Sequence, residues 1–449
     1  MKHTFIISII TLIVVSLFVS CASTASADGE IIGEGKVKNL LKAGDNTLAA
    51  QSVIENKSNY KDSIVYNLDA GVTAFYAGDY QAATGYLSSA EGKIQENKTK
   101  SISQGVTSYI VNDNVRDYEG ELYEDIIVNI FSALAYYNLG KIEDAMVEVR
   151  RANIKLVDYE INVKKQEAGL YDLVMALTPN PFQYLPTLEN IESYNYSPLA
   201  TYISMLMYNL DGDSDNATVD FNKIVSRSGS IVSKEDIAIP KGKGRLNVIS
   251  FEGLISPKVE KSETGRYAIS GKTVSHKIAW PWISNPEGTA VSRVYVKVGG
   301  QTVTLTRAED FSQDALETLN MDLKSTYLRS FYRGLTKMTT AVNAAIEADK
   351  ASTSVTSSIS SALIRKLADS SVDKAINKAV ESVNESEKAD TRMCNYLPDQ
   401  ASIGGITLDP GTYTAEVVYE LNNGKAYSRS FEVKIKEGKN TIITSSCAR

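Results

Sequence analysis

Along residues 36–230, apolar positions recur every three to four residues, the period of helices that bury one face. Glycines cut these stretches in a repeating frame. In "AGDYQAATGYLSSA" Gly78 is followed by Ala83, Leu87 and Ala90, and in "LGKIEDAMVEVRRA" Gly140 is followed by Ala145, Val149 and Ala152. "LDGDSDNATVDFNKI" repeats the frame with Gly212, Ala217, Phe221 and Ile224, and "KAGDNTLAAQSV" with Gly44, Ala49 and Val53. A glycine permits the tight turn between two antiparallel helices, and the alanine five residues on falls where they approach most closely. Gly44 and Gly78 are 34 residues apart, the tetratricopeptide spacing; the later intervals of 62 and 72 leave room for a repeat plus an insertion. Small residues sit where expected in the preceding helices, Gly71 in "SIVYNLDAGVTAFYA" and Ala133 in "DIIVNIFSALAYYN". A generic helical bundle also carries such residues, but four matches in chain order favour repeats. The signature Trp and terminal Pro are missing, so the repeats are divergent.

After "SKEDIAIPKGKGR", which reads as a linker, the period changes to two. "LNVISFEG" and "SRVYVKVGGQTVTL" alternate as strands over 245–307, with Gly299-Gly300 as a hairpin turn. Residues 308–390 return to a helical period. In that segment Arg329, Arg333 and Lys337 form a basic stripe, the usual mark of a solvated face, although the acidic excess of the chain suggests internal partners. The Ser/Ala-rich "KASTSVTSSISSALIRKLADSSVDKAINKAVES" is only weakly amphipathic, a mobile hairpin or a partner-dependent helix. Residues 397–449 alternate again, with turns at Pro410-Gly411 and Asn423-Gly424. These strands predict a small antiparallel sandwich completed by those before residue 307. The expected fold class is therefore α+β and multidomain: a tetratricopeptide-like helical repeat domain, then a β-sandwich-like domain with inserted helices.

The N-terminus changes the picture of where the chain resides. "TFIISIITLIVVSLFV" after Lys2 and His3 is the apolar run of a secretory signal over residues 1–20. It ends at Ser20-Cys21 and small polar residues, a pattern resembling a bacterial lipoprotein signal, in which Cys21 receives lipid and becomes the new N-terminus. Residues 21–35 then form a tether. The alternative is an uncleaved membrane helix, for which the run is short against the roughly 20 residues usually needed. These features predict export and lipid anchoring to the cell envelope, at the periplasmic face of the outer membrane. The net charge of −7, or −8 without the leader's lysine, offers no basic patch for nucleic acid or anionic lipid. Cys394 and Cys447 remain, either as a disulfide or, for Cys394, as a small buried hydrophobe. His276 is the sole histidine after processing, so a Ser-His-Asp triad would have to use it and a His-rich zinc site cannot be built. No catalytic residue, metal ligand or cofactor site is expected. Trp280 and Trp282 in "AWPWIS" flank Pro281; such a pair could stack a sugar ring but more often belongs to a core.

"VNDNVRDYEGELYEDI", residues 111–126, is the densest polar stretch. Asp113, Asp117, Glu119, Glu121, Glu124 and Asp125 fit no calcium loop, since the ligand spacing and central glycine fail in every register. Glu121, Glu124 and Asp125 precede or open a helix, where carboxylates meet the favourable end of its dipole. Asn112, Asp113 and Asn114 are turn formers. The stretch reads as a capped insertion in which Arg116 pairs with a neighbouring carboxylate. If it touches a partner, Asn112, Asp113 and Arg116 are the contacts.

The same region carries a family likeness. Asn112–Asn114 (N-D-N), Tyr118–Glu121 (Y-x-G-E) and Leu139–Arg151 within "LGKIEDAMVEVRRA", with "NVISFEGLISPKVE" and "ADTRMCNYLPDQ", resemble a bacterial envelope lipoprotein family with tetratricopeptide-like repeats. That family often has Trp where Cys394 stands. The resemblance spans most of residues 60–420, implies a lipid-anchored envelope protein and supplies no activity.

The function expected is a lipid-anchored binding or scaffold protein. The first helix of each repeat would line a concave surface with Tyr76, Tyr137, Asn138, Tyr202 and Asn209, suited to a protein or peptide partner. The alternative is that these tyrosines pack between repeats. Two other classes stay open: a carboxylate-based hydrolase on envelope polymers, needing two acids about 5–9.5 Å apart across a cleft, and a subunit of an export or assembly complex.

Overall fold

The computed structural model describes residues 33–104, 112–175, 194–284, 288–356 and 362–449. Cys21, the leader and most of the tether lie outside them. The first half is built from four helix pairs: α1 (Glu34–Ala43) with α2 (Asn46–Glu55), α3 (Ser63–Tyr76) with α4 (Tyr80–Gln104), α5 (Leu122–Asn138) with α6 (Ile142–Met175), and α7 (Pro198–Asp211) with α8 (Ser214–Ser228). All four turns close in the same way. Gly44, Gly78, Gly140 and Gly212 adopt left-handed φ of +90°, +80°, +73° and +88°. In each, the next residue's N–H reaches back five positions: Asp45 to Leu40, Asp79 to Ala74, Lys141 to Tyr136 and Asp213 to Tyr208. This ties off carbonyls the first helix would leave orphaned. Ala49, Ala83, Ala145 and Ala217 are fully buried at the pair contacts. A Cβ on Gly71 would stand 2.7 Å from the Leu87 side chain, so α3 and α4 close on a residue without one.

Among the described residues, the second half contains ten strands, β1 (Gly244–Glu252), β2 (Lys258–Ile269), β3 (Lys272–Ile283), β4 (Val291–Val298), β5 (Gln301–Thr304), β6 (Thr306–Asp310), β7 (Gln400–Leu408), β8 (Gly411–Leu421), β9 (Ala426–Ile435) and β10 (Asn440–Cys447). An inner sheet, ordered β10-β1-β7-β6, packs on an outer sheet, ordered β5-β4-β8-β9. Leu246, Val248, Ile406 and Ile443 of the inner sheet share a core with Val294, Val296, Val417 and Val433 of the outer one. The sandwich is not wholly antiparallel as expected: β10 runs parallel to β1, with Val248 opposite Ile443, so the chain's last strand lies beside the first of the second half. Gly299-Gly300 and the turn before Lys425 join neighbouring strands, as their sequences predict.

Between β6 and β7, α9 (Phe311–Thr356) and α10 (Ala362–Ser386) form the inserted helices. The middle of the Ser/Ala-rich stretch, residues 357–361, lies outside the described residues. The two helices close on the β2–β3 hairpin and the end of α6, burying Leu170, Val174, Trp280, Phe331, Met338 and Ile376 together. The basic stripe on α9 faces inward at Arg333, which is fully buried.

The chain from Ile32 to Arg449 forms one compact unit, in which the helices and the sandwich share contacts. The reason lies in the inner sheet. Every residue of β1 is buried, because helices cover the face turned away from the sandwich. Phe251 stacks on Phe131 of α5 with ring centres 4.8 Å apart, and Phe75 of α3 meets the same pair edge-on. A sheet covered on both faces cannot part from its helices without exposing a core.

Candidate functional site

The N-terminal acidic stretch lies at the seam between the halves. Asn112 Oδ1 accepts from Lys337 Nζ at 2.7 Å, and Asn112 donates to the Ser386 carbonyl at the end of α10. Asp113 faces Arg116, Arg329 and Arg333. Burial alone would raise its carboxyl, but the three guanidinium groups hold it below the usual carboxylate range. Arg116 also reaches Glu119 at 3.0 Å, so the expected internal pairing is present. Gly120 turns the chain at φ +67°. Glu121 pairs with the buried Lys258 of β2 at 2.5 Å. Glu124 Oε2 accepts the Glu121 N–H at 2.9 Å, the capping arrangement its sequence predicts. Asp125 is clamped by Lys98 and Lys155, which overcome burial and hold its carboxyl low. Asp113, Glu119, Glu121, Glu124 and Asp125 each have a partner within the chain.

Arg333 anchors the far side of the seam. Its Nε lies 3.1 and 3.0 Å from the two oxygens of Glu387, and its Nη2 bonds both Glu387 and Asp113. Ser330 Oγ adds a hydrogen bond to Glu387 at 2.8 Å. A fully buried guanidinium is tolerable only with such complete pairing.

Residues 387–399 run through this seam without regular structure. Their peptide groups are held by side chains from both halves. Glu124 accepts the Cys394 N–H at 2.6 Å, and Asp69 accepts the Asn395 N–H at 2.7 Å and its amide at 2.8 Å. Lys258 donates to the Arg392 carbonyl at 3.0 Å. Tyr118 lies between Lys258 and Arg392, whose charges stand 5.7 and 5.0 Å from its ring centre, and gives its hydroxyl to Glu124 at 2.5 Å.

The residues expected to line an open groove meet the chain's own second half instead. Tyr76 donates to the Tyr396 carbonyl at 3.2 Å. The Tyr137 hydroxyl accepts the Ile442 N–H of β10 at 2.9 Å. Tyr202 is buried and donates to Asn247 of β1 at 3.1 Å. Asn209 donates to the Ile237 carbonyl and accepts from Asn440 of β10. Asn138 is exposed, and among the described residues its side chain donates to the Leu134 carbonyl of its own helix at 2.7 Å. The occupant of this helical face is internal: β1 and β10 carry Asn247, Asn440 and Phe251 toward the helices.

Cys394 and Cys447 are both free thiols, which corrects the disulfide alternative. Cys394 sits between Asp69 and Glu124, whereas Cys447 belongs to the sandwich core. Cys394 is thus the buried small side chain the second reading described. The "SKEDIAIPKGKGR" segment is more than a linker, because Asp236 is buried against Arg245 at 2.7 Å. Trp280 is core, and Trp282 lies under Lys261 at 4.3 Å. His276 packs against Tyr267, Phe331 and the backbone of Gly334; burial, then Arg333, lowers its pKa to about 3, so it stays neutral.

Two further carboxyl sites had no signal in the spacing. Glu309 accepts from the Leu199 N–H and Ser197 Oγ at the start of α7, and faces Asp314 of α9. Burial lifts Glu309 to about 7, and burial with the Glu309 charge lifts Asp314 well above the usual range, so the pair shares a proton near neutrality. Glu252 ends β1 inside the sandwich and is lifted by burial to about 8. Asp69, Glu124, Glu252 and Glu309 can therefore exchange protons near neutral pH, while Asp113 and Asp125 stay ionised. The sequence shows these acids but not that strand and helix packing removes them from water. Among the described residues, no cluster of three or more His, Cys, Asp or Glu could hold a metal ion. Comparison of the chain with protein-family models, curated proteins and solved structures gives no match.

Proposed function

We propose that this chain is a lipid-anchored scaffold of the bacterial cell envelope, exported and held by Cys21 at the periplasmic face of the outer membrane. The observation that carries this reading is the apolar leader ending at Ser20-Cys21 and followed by small polar residues. The helix pairs are read as divergent tetratricopeptide-like repeats, supported by the shared turn geometry and the 34-residue step from Gly44 to Gly78. Their inward face is taken by β1, β10 and residues 394–396, which supports a scaffold over an open peptide receptor. A protein partner would then dock on the outer surface of the unit, as a subunit of an envelope assembly would.

Two measurements test this. Cys21→Ser should leave a full-length precursor that takes up no labelled palmitate in cells; equal labelling of the variant would refute the anchor. Crosslinking in cells should bring down the same envelope proteins with the wild type repeatedly. Recovery of the chain alone, from the soluble fraction, would count against both anchor and scaffold.

A further inference from the structure

Most connections in this protein hold their backbone through turns or strand ladders, but residues 389–397 do not. Apart from the Arg392 N–H, which bonds Asp390 of the segment itself, their N–H groups go to Glu260, Glu124 and Asp69, and their carbonyls accept from Lys258, Tyr76 and the Ile255 N–H. One of these partners is backbone; the rest are side chains, most of them ionisable. An amide ladder is indifferent to pH, whereas a seat built from carboxylates is linked to proton binding. The segment is also bounded by complete elements, α10 before it and β7 after it, each with a core of its own.

We propose that residues 389–397 form a proton-linked clasp, which lifts from its seat without unfolding the sandwich and which proton uptake by Asp69 and Glu124 holds closed. In the seat both carboxyls are buried, Asp69 with Tyr60, Cys394 and Asn395 around it, and Glu124 with Tyr118, Tyr123, Glu121 and Lys258. Arg392, Asp62 and Asp390 form an outer cluster that meets the Glu124 site at the Tyr118 ring. Burial moves Asp69 from 3.8 to about 6, against hydrogen bonds from Asn395, Cys394 and Tyr60 that pull it down. It moves Glu124 from 4.5 to about 7, against Lys258 and Tyr118. Lys258 cannot hold Glu124 ionised by itself because Glu121 takes its charge at 2.5 Å.

When the clasp lifts, water reaches both carboxyls and they return toward ordinary values. The seated form therefore binds protons more tightly than the open one. Seating is strongest at and below the ordinary carboxylate range, and weakens as pH rises through about 6 and 7. A protonated carboxyl keeps an acceptor oxygen, so the Cys394 and Asn395 amides remain bonded in acid.

Hydrogen exchange of the full chain reads this directly. The quantity is the protection of the Cys394 and Asn395 amides relative to Val248 and Val417 in the sandwich, after correction for intrinsic rates. Between pH 5.5 and pH 8 that ratio should fall roughly tenfold or more. Asp69→Asn with Glu124→Gln, which mimics the protonated pair, should stay protected and lose the pH dependence. Should that variant not fold, the wild-type ratio decides alone. A ratio constant across the range, or a fall that persists in the double variant, overturns the proposal.

Discussion

On one face of β1, Leu246 and Val248 close against Val294, Val296 and Val417 of the outer sheet. On the other, Arg245, Asn247 and Phe251 meet Asp236, Tyr202 and Phe131. Both faces are buried, yet one is aliphatic around Leu246 and Val248, with Ser250 and Glu252 at its end, and the other mixes aromatic rings with paired polar groups. The aliphatic face constrains volume, and many side chains of similar size would satisfy it. The polar face constrains identity, because each group needs its own partner within hydrogen-bond reach. A one-residue slip of β1 would exchange the two faces, so the contrast itself fixes how the sheet sits on the helices.

The largest effect should come from breaking the polar side at its most buried charge. Arg333→Ala leaves Glu387 buried without its counter-ion and should cost about 3–5 kcal/mol by chemical denaturation. Replacing both, as Arg333→Met with Glu387→Leu, should recover most of the loss, because Asp113 keeps Arg116 and Arg329. A double variant no better than the single one would mean the seam is held by packing, not by charge.

Glu252 sharpens the contrast from the other side, as a carboxyl set on the aliphatic face with Ser402 as its donor at 3.0 Å. Its folded pKa, about 8, exceeds the ordinary 4.5 because burial penalises the charge. Over that interval the folded chain holds a proton the unfolded chain has lost. Stability should accordingly fall as pH rises from about 4.5 to about 8, then level off. Glu252→Gln should flatten part of this slope in denaturation midpoints measured across the range. A midpoint that climbs with pH up to about 6.5 in the wild type would show that His276, buried neutral with its pKa lowered from 6.5 to about 3, dominates instead.

The part of the fold set by local chemistry was readable from sequence. Gly44, Gly78, Gly140 and Gly212 marked real turns, because only the left-handed region closes them, and the alanines five residues on are buried. Period-two stretches marked strands, and the insertion expected over 308–390 carries the helices α9 and α10. What escaped was long range. Nothing in "NVISFEG" says that β1 lies between β7 and β10, or that its second face meets α5 and α7. The sequence singles out the tyrosines of the first helices, but amphipathic hydrogen-bonding side chains do not reveal whether their partner is another molecule or residues 247, 396 and 442 of the same chain. The cluster at 112–126 was visible, whereas its partners Arg333, Lys337 and Lys258 are too distant in sequence for spacing to connect them.

The helix-pair contacts stand between the two extremes, since they are apolar but sterically exact in what they admit. Ala145 is fully buried between α5 and α6, and Ala145→Leu should overpack that contact and cost about 1–3 kcal/mol. Thermal melting would check it against Ser88→Leu, placed on the exposed face of α4. Equal tolerance at both positions would remove the close-contact reading of the alanine frame.

The smallest effect tests whether the polar face acts by specificity more than by strength. Tyr202, Asn247, Asn440 and Asn209 form a relay: the Tyr202 hydroxyl donates to Asn247, Asn247 donates to Asn440 at 2.8 Å, and Asn440 donates to Asn209 at 2.7 Å. Tyr202→Phe keeps the buried ring and deletes one donor, leaving the Asn247 carbonyl short of a partner. The loss should be about 1 kcal/mol, the scale of a single neutral hydrogen bond. Leu246→Met on the opposite face conserves volume and should cost a similar amount or less. The two variants should part in hydrogen exchange rather than in midpoint. Losing a relay member should raise opening of β10, whose Asn440 and Ile442 are tied to the helices, while the Leu246 variant should leave β10 protection unchanged relative to β8. If both variants loosen β10 alike, the polar face does no more than fill space, and the difference between the two faces of β1 carries no information about register.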